Sequence, residues 1–318
     1  MHAYIIRRVL ALIPTLLIAS IIVFAIVRMV PGDVIDMMLS QNDISSNSFD
    51  REKLIQTLGF DRPIWEQYLK WVGAILLYGD FGNSLWHSTS VLDMILARVP
   101  ATLSLGVLAM AVSLIVAIPI GVYSAIRQDT AGDYLARSVS ILMLAVPSFW
   151  LGTMIMVFPS IWWGWSPRVD YVPFSADPVE HFKQMIVPAI VLGMALSALT
   201  MRLIRTMMLE VLRQDYIRTA WAKGLSERTV VLRHALRNAM IPVVTLIGLQ
   251  APLILGGAVV IEQIFTLPGM GLLLLDAVSQ RDYPVITGVF LITGVAVMFI
   301  NLLVDLSYGL FDPKVRHR

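Results

Sequence analysis

The sequence between Arg98 and Arg127 reads VPATLSLGVLAMAVSLIVAIPIGVYSAI and contains no charged residue from position 99 to position 126. A helix needs about 20 apolar residues to cross the hydrocarbon core of a bilayer, and this stretch is long enough. Backbone amides in hydrocarbon must find hydrogen-bond partners within their own segment, so the stretch is predicted to form a transmembrane helix. Pro119 is tolerated in such a helix and is expected to bend it.

Five further charge-free stretches resemble this one. They lie between Arg8 and Arg28, Arg137 and Arg168, Lys183 and Arg202, Arg237 and Glu262, and Asp282 and Asp305. After a first helix within residues 1–30, transmembrane helices are therefore predicted at about 101–125, 138–162, 185–203, 239–261 and 284–305. The alternating ten-residue strands of a membrane β-barrel are missing from the sequence. The predicted fold class is an all-α polytopic membrane protein with six transmembrane helices.

The composition agrees with a membrane protein. Hydrophobic residues make up 57% of the 318 residues and charged residues 14%, against roughly 25% charged residues in a soluble domain. The sequence has no cysteine, which excludes a disulfide scaffold, a thiolate zinc site and a cysteine nucleophile. A net charge of +2 does not suggest nucleic-acid binding.

The first apolar stretch follows Arg7 and Arg8 and so has the outline of a secretory signal peptide. Its apolar core is longer than the roughly 7–15 residues of a signal peptide, and no clean small-x-small cleavage site follows. A retained helix is therefore predicted. A shorter apolar run at 264–275 contains Pro268 and Gly269 and is predicted to be interfacial or re-entrant.

Charge placement predicts the orientation. Cytoplasmic loops of membrane proteins are enriched in lysine and arginine. If the N-terminus is inside, the inner segments hold 15 of the 24 basic residues and six of the 22 acidic residues. The outer segments then hold nine basic and 15 acidic residues, and Asp305 falls at the end of a span. Both termini, including the tail 310–318, are therefore predicted to be cytoplasmic.

The outer segment 31–100 is long enough for folded elements. Pro63 can open a short helix that runs through Tyr78. The apolar side of this helix is predicted to carry Leu69, Val72, Ile75 and Leu76. Ser90 and Asp93 resemble a capping box for a helix that runs toward Arg98. The segment can be a lid on the membrane helices, a docking surface for an external partner, or both.

The inner segment 204–238 has a helix-forming first part that ends near Lys223. Gly224 then supplies a stop, because glycine adopts a left-handed conformation easily. Ser226 can cap a second helix, with Glu227 in its first turn. Three leucines are predicted on one side of that helix: Leu225, Leu232 and Leu236. Four basic residues are spread elsewhere: Arg228, Arg233, His234 and Arg237.

The residues of this helix–turn–helix are compatible with two interpretations. An interfacial amphipathic hairpin would place its arginines on anionic lipid. A coupling element would present a sharp turn away from the bilayer to a protein partner.

Catalytic motifs are missing from the sequence. It contains no Gly-x-x-x-x-Gly-Lys-Ser/Thr phosphate loop, no His-Glu-x-x-His and no Gly-x-Ser-x-Gly, and its five histidines are scattered. No charge interrupts the middle of a span, which weakens a proton-coupled transporter or a channel with a charged filter. Glu262 is interpreted as a structural anchor for the following Pro-Gly turn rather than as a substrate ligand, and Asp305 as an interface or helix-packing residue.

The stretch DYIRTAWAKGLS at 215–226, with HALRNAMIP at 234–242, resembles the cytoplasmic EAA loop of ABC-importer permeases. The family pattern is Glu-Ala-Ala, three residues, Gly, nine residues, Ile-x-Leu-Pro. With the alignment set on Gly224, the matching positions are Ala220, Gly224 and Leu236. The departing positions are Arg218, Thr219, His234 and Arg237, and they are similar to the peptide/nickel branch of the family.

Further motifs along nearly the whole chain are similar to that branch. They are RR at 7–8, IPT at 13–15, PGD at 31–33, LGFDRP at 58–63, GDFGNS at 79–84, EQIFTLPGMG at 262–271, RDYP at 281–284 and NLLVD at 301–305. The N-terminal motif and the long first outer segment resemble the first of the two permease subunits in dipeptide, oligopeptide or nickel importers.

The resemblance implies a type I ABC importer permease fold in the bacterial cytoplasmic membrane, with a permease core at 101–309. It implies a second homologous permease, two ATPase subunits and an external solute-binding protein as partners. ATP and Mg²⁺ would be bound by the ATPases, and this chain would have no cofactor, metal or enzymatic activity of its own. The residues that the resemblance places in the ATPase-coupling loop are Arg218, Thr219, Ala220, Ala222, Lys223, Gly224, Leu225, Ser226 and Leu236. No residue is assigned to the substrate path, and the alternative function is a six-helix secondary transporter or channel without ATPases.

Overall fold

The computed structural model describes residues 2–29, 55, 61–87, 89–164 and 170–311, and this part of the chain is mostly helical. The helices are α1 (His2–Met29), α2 (Ile64–Tyr78), α3 (Val91–Ile126), α4 (Ala131–Ala145), α5 (Ser148–Trp163), α6 (Pro178–Leu212), α7 (Asp215–Ala222), α8 (Glu227–Thr229), α9 (Leu236–Ile264), α10 (Met270–Gln280) and α11 (Tyr283–Phe311). A π-helical segment, Val230–Ala235, joins α8 to α9.

Within the described residues, five stretches of helix are long and apolar enough to cross a membrane. They are Leu10–Met29, Val91–Ile126, Pro178–Leu212, Glu227–Gly256 and Tyr283–Val304. Helices α4 and α5 together make a sixth if the bent pair is one span. The predicted all-α membrane fold is confirmed, and α10 is an apolar helix too short to span, at the place of the predicted interfacial run.

The stretch predicted as one helix at 138–162 contains two helices, because the chain bends by 88° between α4 and α5. Pro147 disfavours the helical conformation of the residue before it, and Val146 is accordingly extended at φ −84°, ψ 118°. Helix α4 therefore ends at Ala145, and α5 starts at Ser148 directly after the proline. The prolines at 119, 159 and 252, in contrast, lie inside continuous helices.

The helices belong to two compact units. The large unit comprises Met1–Leu10, Val99–Leu272 and Ala296–Arg318, and the small unit comprises Ala11–Arg98 and Leu273–Val295.

Close helix packing holds the large unit together. A Cβ atom placed on Gly193 of α6 would lie 2.5 Å from the Ala109 carbonyl oxygen of α3, so the two backbones touch there. Small residues at such contacts are typical of membrane helices, because they let the backbones approach. Gln250 of α9 adds a polar link, since its Nε2 donates to Thr200 Oγ1 of α6 at 2.9 Å.

Glu262, near the end of α9, holds the beginning of α10. Its buried carboxylate accepts from the Thr102 hydroxyl at 2.6 Å and from the Leu272 N–H at 3.0 Å. Thr102 Oγ1 in turn accepts from the Met270 N–H at 2.8 Å. The first N–H groups of a helix have no partner within it, and these contacts supply two. The geometry supports the anchor interpretation of Glu262.

In the small unit, α2 packs on α1 through aromatic residues. The rings of Tyr68 and Trp71 lie 5.6 Å and 5.5 Å from the ring of Phe24, and Tyr68 OH lies 2.9 Å from Ser20 Oγ. The predicted helix from Pro63 to Tyr78 is present, but its predicted apolar side is not the packed one, because Leu69 and Leu76 are exposed. The tyrosine and the tryptophan bury more area and form the packed face instead.

Helix α3 begins in the small unit where the capping box was predicted. The Asp93 N–H donates to Ser90 Oγ at 3.5 Å, the outer limit of a hydrogen bond. The helix does not end near Arg98 but continues to Ile126 through Pro100, so the predicted cap and the predicted second span are one helix. Ser84 Oγ donates to Asp282 Oδ2 at 2.5 Å and ties the segment before α3 to the start of α11.

Candidate coupling site

The inner segment forms the predicted helix–turn–helix. Helix α6 continues to Leu212, and after Arg213 and Gln214 the short helix α7 runs from Asp215 to Ala222. The chain then turns at Gly224 and enters α8 at Glu227. We call α7 together with residues 223–226 the tip.

Gly224 closes the tip in a left-handed conformation, with φ +75°. Its N–H donates to the Trp221 carbonyl at 2.9 Å, and the Leu225 N–H donates to the Ala220 carbonyl at 3.4 Å. These two bonds are the Schellman pattern that ends helices at a left-handed glycine. A Cβ at Gly224 would meet no described atom within 4 Å, so the backbone conformation, and not space, selects glycine here.

The tip rests on a buried apolar floor. Ile217 and Ala220 of α7 are buried together with Ile204 and Met208 of α6 and with residues of the π-helical segment and α9. The Asn238 side chain of α9 donates to Tyr216 OH at 2.8 Å and adds a polar contact to α7. Ala220 is thus a small residue on the buried face of α7. The packing makes the tip an extension of α6 and α9 rather than a separate loop.

The outer surface of the tip carries both cations and aromatic rings. Among the predicted site residues, the exposed ones are Arg218, Thr219, Ala222, Lys223, Gly224, Leu225 and Ser226, and Leu236 is half-buried. Tyr216 and Trp221 are also exposed, and sequence analysis missed both. Arg218 lies 3.6 Å from Asp215, but both side chains are mostly in solvent, where such a pair contributes little. The tip can therefore present both charge and apolar area to a partner.

The second helix departs from its prediction in two ways. The Ser226 hydroxyl lies 2.9 Å from Thr229 Oγ1 and does not cap α8. Leu225 and Leu232 are exposed, and the buried side is formed by Val230, Val231 and Ala235. The physical reason is the π-helical segment, whose hydrogen bonds reach five residues back and shift the buried face away from the α-helical pattern. The exposure of Arg228, Arg233 and Arg237 agrees with the prediction.

A buried ion pair joins α4 to α6 in the large unit. Arg205 of α6 donates from Nε to Asp133 Oδ1 at 2.9 Å and from an Nη atom to Asp133 Oδ2 at 2.8 Å. The side chain of Asp133 is 0% exposed and that of Arg205 is 18% exposed. The Ser124 hydroxyl donates to Asp133 Oδ1, and the Asp129 N–H donates to Oδ2 at 3.1 Å.

Sequence analysis counted both of these charges only as loop charges. A local signal marks the position of Asp133, because Thr130 accepts from the Asp133 N–H and caps α4. Arg205 lies 72 residues further along the chain, and no local pattern connects it to Asp133.

Comparison with known proteins identifies the family. Residues 117–317 match the family described as "Binding-protein-dependent transport system inner membrane component", and residues 1–106 match the N-terminal region of such membrane components. The chain belongs to this family. It is a multi-pass inner-membrane permease of an ABC importer, which functions with ABC transporter partners.

Curated relatives align with the permease over its full length. The dipeptide transport system permease protein DppB of Escherichia coli (strain K12) is 39% identical, and the oligopeptide transport system permease protein AppB of Bacillus subtilis (strain 168) is 42% identical, each covering 100% of both chains. The di/tripeptide transport system permease protein DppB of Pseudomonas aeruginosa (strain UCBPP-PA14) is 38% identical with the same coverage. A solved amino acid ABC transporter chain covers 68% of the permease and 92% of its own length, at 13% identity and a TM-score of 0.48.

Proposed function

We propose that this permease forms half of the translocation pathway of an ATP-driven peptide importer and that its tip docks on an ATPase subunit. The docking role is supported by the structure of the tip. Its outer surface is exposed, and its inner side is buried in the same apolar cluster as residues of α6 and α9. A lipid-anchoring hairpin would need its apolar side free for the bilayer, whereas Ile217 and Ala220 are packed inside the protein. The peptide substrate class rests on the names of the curated relatives.

The partner set proposed for the permease is a second homologous permease, two ATPase subunits and an external binding protein that delivers the peptide. ATP and Mg²⁺ are bound by the ATPases. The phosphate loop that such binding needs is missing from this sequence, which supports its place on another chain.

The proposed mechanism transfers motion through the tip. When ATP closes the ATPase pair, the groove that holds the tip moves, and α7 moves with it. Because Ile217 and Ala220 are packed against α6 and the start of α9, the displacement reaches those helices without being absorbed by a loose loop. The membrane helices then exchange between inward-open and outward-open packings, as a shift between two states that ATP binding favours differently.

Reconstitution in proteoliposomes tests this function. The permease is co-expressed with a second family permease, ATPase subunits and a binding protein from the same organism. We expect a purified complex whose ATP hydrolysis rises when peptide-loaded binding protein is added, together with uptake of labelled peptide. Uptake by the permease without ATPases would instead support a secondary transporter. A complex that hydrolyses ATP but takes up another solute would refute only the peptide class.

A further inference from the structure

We infer that the buried Asp133–Arg205 ion pair is the joint that transmits movement of the tip to the α3–α4 turn, so that both residues are positioning residues for coupling. This inference rests on the proposed docking of the tip on an ATPase. It adds a specific pair, outside the tip, through which the motion passes.

The pair joins elements that are distant in sequence. Asp133 lies in the first turn of α4, and its carboxylate also accepts bonds from Ser124 at the end of α3 and from the Asp129 N–H in the connecting turn. Asp129 itself is held in a left-handed conformation, with φ +61°. Arg205 lies on α6, about two turns before that helix ends at Leu212. One carboxylate therefore fixes the α3–α4 turn, and one guanidinium fixes that turn to the helix that leads into the tip.

The hydrogen bonds between Arg205 and Asp133 are directional. The two parallel N–H···O bonds of a guanidinium and a carboxylate define an orientation as well as a distance. Arg205 Nε also donates to Ser124 Oγ at 3.1 Å, so the same side chain contacts both α3 and α4. Arg137 lies 3.5 Å from the same carboxylate and is the second cation of the group.

Stability alone does not account for the pair. Removing two charges from water is costly, and well-packed apolar residues in their place are often as stable or more stable. Apolar contacts already hold the end of α3 against α6, with Val122 and Ala125 of α3 packed in one cluster with Ile204 and Met208 of α6. The hydrophobic effect that drives apolar packing is non-directional, however. What the ion pair adds is a fixed register between α6 and the α3–α4 turn, so that the two move together.

The test uses the full complex in proteoliposomes and the double variant Asp133→Asn/Arg205→Gln. The double variant removes both charges of the buried pair and leaves Arg137, whose side chain is 37% exposed, so we expect normal amounts of assembled complex and a basal ATP hydrolysis close to wild type. The number of peptides taken up per ATP should fall by roughly five-fold or more, the lower end of a typical coupling free energy. Arg205→Lys is the second variant. It keeps the charge but not the two parallel bonds, and its coupling should be intermediate.

Ser124→Ala is the matched control, because it removes the two hydrogen bonds that the hydroxyl forms with Asp133 and Arg205 and leaves both charges and their two parallel bonds in place. Its peptide-to-ATP ratio should stay near wild type. If the double variant fails to assemble, Arg205→Lys decides the question. A wild-type ratio in the assembled variants would overturn the inference, and so would a proportional fall in uptake and hydrolysis, since that pattern indicates a purely structural role.

A distance measurement provides a readout independent of uptake. The sequence has no cysteine, so Gln128→Cys in the α3–α4 turn and Arg213→Cys at the end of α6 can carry spin labels on exposed positions. The distance between the labels should be the same with and without ATP when the ion pair is present, and it should change with ATP in the double variant. An unchanged distance in the double variant would also overturn the inference. Failure of the proposed function is a different result, in which even the wild-type complex lacks ATP hydrolysis stimulated by binding protein.

Discussion

At the residue scale, Gly224 is predicted to be required for coupling and dispensable for folding. Gly224→Val places a β-branched residue at φ +75°, which costs about 1–3 kcal/mol in a left-handed conformation. No described atom lies within 4 Å of the new Cβ, so the cost is confined to the turn. Membrane levels of the complex should be retained and peptide uptake lost. Gly164→Val is the matched control, because Gly164 at the end of α5 has φ +63° and no described atom lies within 4 Å of its new Cβ. Equal uptake in the two variants would remove the Gly224 turn from the coupling role.

The exposed cations of the tip give a second prediction at this scale. Lys223→Glu or Arg218→Glu should weaken association with the ATPase, and the defect should depend on salt because the contact is electrostatic. Arg127→Glu serves as control, since Arg127 is an exposed cation at the end of α3 outside the tip. ATPase pull-down at low and high ionic strength measures the effect. If charge reversal at the tip reduces membrane insertion but leaves the pull-down unchanged, the hairpin is a lipid anchor.

At the element scale, the anchoring of α10 by Glu262 predicts a loss of stability rather than a change of substrate. Glu262→Ala leaves the Thr102 hydroxyl and the Leu272 N–H without the carboxylate in a buried site, and each unpaired group costs about 1–3 kcal/mol. The thermal unfolding midpoint of the detergent-solubilised complex should fall. Glu66→Ala, which removes an exposed i,i+4 pair with Arg62, should change it little. An unaltered midpoint combined with an altered peptide preference would make Glu262 a substrate ligand.

The outer segment 31–100 is the element predicted to touch the binding protein. Its acidic side chains Asp61 and Asp80 are exposed on either side of α2. Asp61→Cys or Asp80→Cys, each a unique cysteine in this chain, should form crosslinks to the binding protein in the assembled complex. Asp276→Cys on α10 is the comparison position, and its side chain is also exposed. Crosslinks that arise from position 276 alone would refute docking on the first outer segment.

At the scale of the whole molecule, the charge asymmetry predicts the orientation in the membrane. The inner segments hold 15 of the 24 basic residues, and cytoplasmic loops are enriched in lysine and arginine. A reporter fused after Arg318 should therefore be cytoplasmic, and one inserted near Asn47 should be external. Activity of a compartment-specific reporter, such as a phosphatase that needs an oxidising exterior, measures both positions. The reverse result at either position would contradict the orientation.

The sequence by itself determined the properties that depend on neighbouring residues. Charge-free stretches predict membrane helices because hydrocarbon excludes charge wherever the chain later folds. Pro63 and Gly224 mark a helix start and a helix end through their own backbone preferences, and both marks agree with α2 and α7. The tip could be located for the same reason, since its whole pattern lies within residues 215–242.

Only the tertiary structure decided which faces pack and which distant charges meet. The chain bends by 88° at Pro147, whereas the prolines at 119, 159 and 252 leave their helices continuous, so a proline alone does not determine where a helix breaks. Val230 and Val231 are buried in place of Leu232 because of a π-helical segment that no pattern in the sequence predicts. Asp133 and Arg205 lie 72 residues apart, and they pair only because α4 and α6 pack together. Propensity is a property of local sequence, whereas a buried ion pair needs two elements to be brought into register, and that information lies in the packing of the whole fold.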